Sequence, residues 1–124
     1  MAMALKHLAP GELAHAGPLG NALPTTRTFT LVRTDDLQIF RLVLRAGADL
    51  AEHAVPGAMV FQCVEGEVIF RAPGCELHMH AGDLTHIGAG APHSVHAVTD
   101  MSALVTVLGH ATVRPPVPLK ENNT

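Results

Sequence analysis

The chain has 124 residues, of which 48% are hydrophobic and only 15% charged, a balance that suits one domain around one core and argues against extensive disorder. Its formal net charge is -3, its eight Lys and Arg are scattered, and it contains neither Trp nor Tyr, so the basic stripe and stacking platforms of a nucleic-acid binder are missing. No stretch is apolar for long enough to serve as a signal peptide or a spanning helix, so no membrane partner is expected and a cytoplasmic location is, with Cys63 and Cys75 reduced.

Residues 1–24 read as an N-terminal extension rich in Ala, Gly and Pro, with room for a short edge strand at Leu5–Leu8 and one helical turn near Pro10–His15. From Thr25 the pattern changes. Thr28–Arg33 and Leu37–Arg45 are rich in β-branched and apolar residues and are separated by the turn signal Asp35-Asp36. In the second run Phe40, Leu42 and Leu44 share one face and Arg41 and Arg45 the other, which predicts a half-buried strand. Further strands are predicted at Met59–Val64, Glu67–Arg71, Glu76–Ala81, Leu84–Ile87, Ser94–Val98 and Ala103–Leu108, punctuated by Gly and Pro at short intervals. Many short strands with regular turns make a sandwich or barrel over residues 25–110. The tail 111–124 carries Pro115, Pro116 and Pro118 and is expected to lie over the surface or be partly disordered.

Two stretches carry a more specific signal. Gly47, His53, Val55, Met59 and Gly66 fall in order on one spacing, and Gly82, Gly88, Gly90, His93 and Ala97 fall on another. The phrases VEGEVIF from Val64 and AGDLTHIGAGAPHSV from Ala81 accompany them. Together these resemble the paired motifs of the cupin superfamily, over about Arg41 to Leu108. The resemblance implies an all-β double-stranded β-helix, a jelly-roll barrel of two antiparallel sheets with a pocket at one end.

In metal-binding cupins two His and a Glu of the first motif and one His of the second converge on iron, manganese, nickel or zinc. The matching positions here hold His53, Val55, Met59 and His93, so only half of that ligand set is present. Val55 cannot ligate, and the neutral thioether of Met59 suits none of the hard ions of oxygen-rich sites. The resemblance thus leaves two readings of His53 and His93: a weak site for a divalent ion completed by water or a bound acid, or pocket imidazoles without metal. Met59 and Cys63, on the same face as His53, add the ligand types of a copper site, although Cys63 lies too far along its strand for all to converge. A bulge after Pro56-Gly57 would turn Gln62 inward and make it a reserve pocket residue.

His78-Met79-His80 is the one literal pair of His two apart, but Leu77, Met79 and Ala81 form the apolar set of that strand. His78 and His80 are therefore expected to face solvent, able to capture a surface metal without a functional role. His96 should face away from His93, and His86 has a view of the barrel mouth.

The leading functional expectation is a small-molecule pocket lined by His53, Val55, Met59, Phe61 and His93. Its alternatives are a metal-dependent dioxygenase, isomerase or decarboxylase using His53 and His93 as ligands, and a non-catalytic structural or sensor barrel. Small cupins generally pair, so a homodimer is expected, with the run Phe29–Leu44 supplying the strand that packs on the partner.

Overall fold

The computed structural model describes residues 6–109, so the N-terminal five residues, His110 and the Pro-rich tail lie outside it. Nine strands are formed among the described residues: β1 (Phe29–Arg33), β2 (Leu37–Leu44), β3 (Asp49–His53), β4 (Met59–Glu65), β5 (Glu67–Ala72), β6 (Cys75–His80), β7 (Leu84–Ile87), β8 (His93–Ala97) and β9 (Met101–Leu108). They build a five-stranded sheet in the order β1-β2-β9-β4-β7 and a four-stranded sheet in the order β3-β8-β5-β6. Every pairing is antiparallel.

Register explains which residues meet in the middle, because paired residues of an antiparallel ladder project to the same face. In the larger sheet, Gln38, Val107, Met59 and Ile87 form one inward row, and Phe40, Val105, Phe61 and Thr85 the next. Leu42, Ala103 and Cys63 lie below them. In the smaller sheet His53 pairs with His93, Leu50 and Phe70 both pair with Val95, and Val68 lies between Ala97 and Met79. These two stacks face each other and form one core.

Two glycines are required by close approach. A Cβ on Gly57 would stand 1.6 Å from the carbonyl oxygen of Leu108. Gly66 takes φ of 85°, and a Cβ there would meet the Asp100 carbonyl at 2.3 Å.

The strand predicted as half-buried is buried on both faces. Arg41 is 0% exposed and Val43 1%. The cause is the N-terminal extension, which crosses the outer face of the larger sheet. Arg41 Nη2 donates to the His15 carbonyl at 3.4 Å, and Arg45 Nη2 donates to the Thr26 carbonyl at 3.1 Å. Arg41 Nη1 also donates to Ser102 Oγ at 3.1 Å, and Ser102 Oγ donates in turn to Glu65. Glu65 then accepts from the backbone N–H groups of Leu19 and Gly20, at 2.9 Å and 3.1 Å. One carboxylate thus clamps the extension to the barrel.

Within the extension, the helical turn expected near Pro10–His15 is only a tight turn in which Glu12 N–H donates to the Ala9 carbonyl at 3.0 Å. A short 3₁₀ helix forms instead at Gly20–Thr25. Of the edge strand expected at Leu5–Leu8, Leu5 lies outside the described residues and residues 6–8 form no strand. Leu8 N–H does donate to the Leu31 carbonyl of β1 at 2.8 Å.

Candidate functional site: a two-histidine cavity

The inner rows enclose a cavity of about 310 Å3 between the sheets. Of the residues sought in the sequence, His53, Val55, Met59, Phe61 and His93 all line it. The rest of its wall is aliphatic or aromatic: Phe40, Leu42, Leu50, Ala54, Val95, Val105 and Val107. His53 and His93 are therefore the two polar side chains of an otherwise apolar lining.

Neighbouring strands hold the two imidazoles. His53 ends β3 and His93 begins β8, and a register shift between Leu50 and His53 brings them directly opposite each other. Their ring centroids are 4.4 Å apart, with ring planes at 58°. His53 Nδ1 lies 2.9 Å from the Ala51 carbonyl, and His93 Nδ1 lies 3.1 Å from the Ala91 carbonyl. A carbonyl oxygen can only accept, so each Nδ1 carries a proton and each neutral ring keeps Nε2 as an acceptor. The His93 ring also stacks on Phe70, 5.7 Å between centroids and 5° from parallel.

Burial pushes the His93 pKa below its ordinary value, and the neighbouring His53 pushes it further the same way; the hydrogen bond to Ala91 offsets part of this. His93 is accordingly a neutral imidazole near neutral pH.

The sequence reading missed Gln38. Its inward row contains Met59 and Val107, both of which line the cavity. Gln38 is 4% exposed, and neither its amide nitrogen nor its oxygen has a hydrogen-bond partner among the described residues. The alternation that places Phe40, Leu42 and Leu44 on the inner face places Gln38 there too, and its polar amide is what kept it out of the apolar set.

Two other expectations are corrected. Gln62 does not turn inward: β4 stays in register from Met59 to Cys63, the irregularity falls between Cys63 and Glu65, and Gln62 pairs with Leu84 and Leu104 on the outer face. His86 is exposed on the outer face opposite Val60, with no view of the cavity. As expected, Cys63 points inward but lies beneath the cavity rather than on its wall. Burial foremost, and then the charge of Asp83, raise its thiol pKa to about 11, so it is a neutral thiol near neutral pH. His96 faces away from the cavity as expected, and its Nδ1 lies 2.6 Å from Asp49 Oδ1 across β3 and β8.

The donor set decides whether the cavity fits a metal. Ligating His rings commonly tie the second nitrogen to a carbonyl, and His53 and His93 do so. Yet the lining offers no carboxylate, no third imidazole and no thiolate, and its remaining side chains are hydrocarbon apart from the Met59 thioether. Two imidazoles fall short of the three or four protein ligands that hold zinc or iron. The residues present do not fit a resident metal in the cavity.

Comparisons with known proteins agree with this architecture. The solved structures that resemble the chain include a cupin superfamily protein from Desulfitobacterium hafniense, 17% identical with a TM-score of 0.69, the match covering 86% of this chain and 99% of that one. A conserved protein of unknown function from Streptococcus pyogenes is 22% identical, with a TM-score of 0.66 over 89% of this chain and 100% of that one. Salicylate 1,2-dioxygenase from Pseudoaminobacter salicylatoxidans is 24% identical, with a TM-score of 0.59 over 64% of this chain and 25% of the enzyme. At these identities the likeness is one of fold. No curated protein sequence matches the chain.

Two antiparallel sheets packed around an apolar cavity with two imidazoles in its lining form a jelly-roll barrel. The profile of the cupin domain matches residues 40–109, and the chain belongs to that family.

Proposed function

We propose that this barrel binds a small, mostly apolar organic molecule through one hydroxyl or acidic group placed against His53 and His93. The observation that supports the reading is an apolar cavity whose polar lining is two imidazoles with ring centroids 4.4 Å apart. A ligand O–H would donate to a neutral imidazole. A carboxylic acid would share its proton with the pair, turning the acceptors into a charge-assisted clamp. The volume is at the small end of the range for ligand sites, so a single ring or a short branched chain is the size that fits.

Aromatic hydroxy acids have this chemistry, and solved structures of the same fold include a dioxygenase of salicylate and its complex with gentisate. Here the metal-dependent half of such an enzyme is not supported, because the donor set is incomplete. Salicylate, gentisate, benzoate and short branched fatty acids form the test panel, titrated while the methyl resonances of Val55, Val105 and Val107 are followed by NMR. Shifts that saturate with at least one compound, and vanish in the His53→Ala, His93→Ala double variant, are expected. No response to any of them at millimolar concentration would sink the reading.

For assembly, the supporting feature is β1 at the edge of the larger sheet, where a second copy could add a strand. Light scattering on the eluting protein tests it; a clean monomer would reject the homodimer.

A further inference from the structure

The outer face of the smaller sheet gathers a second histidine pair. His78 and His80, two apart on edge strand β6, project to the same exposed side, with ring centroids 5.2 Å apart. Strand β5 lies beside them, and Glu67 stands directly opposite His80 in its register. Glu67 Oε2 contacts His78 Nε2 and lies 3.8 Å from His80 Nε2. One ligand atom from each of the three residues falls within 4.8 Å of the other two, a spacing that no other trio of His, Cys, Asp or Glu attains among the described residues.

The backbone beneath these side chains is held in place. Glu67 N–H donates to Thr99 Oγ1 at 3.1 Å, and the Glu67 carbonyl accepts from Val98 N–H at 2.9 Å. His80 N–H donates to Asp83 Oδ2 at 2.8 Å. Two imidazoles and one carboxylate therefore converge from two hydrogen-bonded strands rather than from mobile loops.

Two nitrogens and one oxygen, all able to bind without large rearrangement, are a borderline donor set of the type zinc takes. We propose that Glu67, His78 and His80 form a zinc-class divalent metal site on the outside of the barrel, separate from the cavity. Three protein ligands leave a coordination position open toward solvent for water. The ion would also tie edge strand β6 to β5. The expectation that His78 and His80 act only as a chance surface pair is revised by Glu67, which precedes His78 by eleven residues and joins them only through the hairpin.

The test uses tag-free, chelator-stripped protein of the full chain and zinc alone, measured by titration calorimetry and by thermal melting. Wild type is expected to take up one equivalent and melt at a higher temperature with zinc. His78→Ala, His80→Ala should lose both effects, and Glu67→Gln should weaken uptake by about tenfold or more. The His53→Ala, His93→Ala variant should take up the same one equivalent of zinc. His78 and His80 side chains are 57% and 61% exposed, so their substitution leaves the core intact, and an unchanged circular dichroism spectrum verifies this. No saturable uptake by wild type, equal uptake after loss of His78 and His80, or loss of uptake only in the cavity variant would each overturn the site. Undiminished affinity in Glu67→Gln would overturn the three-ligand assignment.

Discussion

His53 and His93 face each other across β3 and β8 with ring centroids 4.4 Å apart, and each donates its Nδ1 proton to the carbonyl two residues earlier in its own chain segment. The same local device therefore orients both rings, and both Nε2 atoms are acceptors while the rings are neutral. Removing either ring singly should weaken any ligand of the pair by the value of one hydrogen bond, about 1 kcal/mol or roughly fivefold in Kd. Parallel NMR titrations of His53→Ala and His93→Ala with the tightest compound of the panel check this. An affinity unchanged in both would remove the imidazoles from the site.

Acid should destabilise the fold through His93. Burial first, and His53 second, hold its folded-state pKa below the ordinary 6.5. Between the lowered value and 6.5 the unfolded chain binds more protons than the folded one, so this contribution to stability is complete above about 6.5 and is lost as the pH falls. Denaturant midpoints measured from pH 8 to pH 5 should decline below 6.5, and the decline should be shallower in His93→Gln.

Gln38 offers a prediction of the opposite sign. Its buried amide is unpaired among the described residues, so Gln38→Leu removes a desolvation cost and keeps the volume. Stability should rise by about 1–3 kcal/mol in the ligand-free protein. Urea unfolding measures it; a destabilised variant would mean that the amide is satisfied in solution.

The clamp on the N-terminal extension rests on Glu65. Burial alone would raise its pKa, but the hydrogen bonds from Ser102, Leu19 and Gly20 and the Arg41 charge outweigh this and lower it. Glu65→Leu leaves the guanidinium of Arg41 buried without its counter-charge, an error worth about 3–5 kcal/mol. The extension should also become open to limited proteolysis near Leu13, which is exposed already. A variant as stable and as resistant as wild type would show that the clamp is idle.

Of the glycines among the described residues, Gly57 has the least room, with the Leu108 carbonyl where a Cβ would go. Because the obstacle is backbone, it cannot swing aside as a side chain would. Gly57→Ala should cost roughly 1–3 kcal/mol, seen as a lower unfolding midpoint.

Alternation is enough to locate most strands. Met59, Phe61 and Cys63 read as one face in the sequence and form one face of β4. The spacing of His53, Val55, Met59 and His93 likewise marks four residues that the fold gathers on the cavity wall. What does not read out is the environment on the other side of a strand. Arg41 has the pattern of a solvent-facing charge because nothing local announces that residues 15–28 will cover it.

The two halves of a site differ in the same way. By itself the sequence determined the cupin barrel and the pair His53 and His93, because glycine positions and period-two patterns are local properties of the chain. It also determined that Val55 and Met59 stand where metal ligands would be needed. Only the tertiary structure decided that Gln38 joins the inward row of Met59, that Gln62 and His86 leave it, and that Glu67 meets His78 and His80. Those outcomes depend on strand register, which is set by long-range pairing and has no counterpart in any short window of sequence.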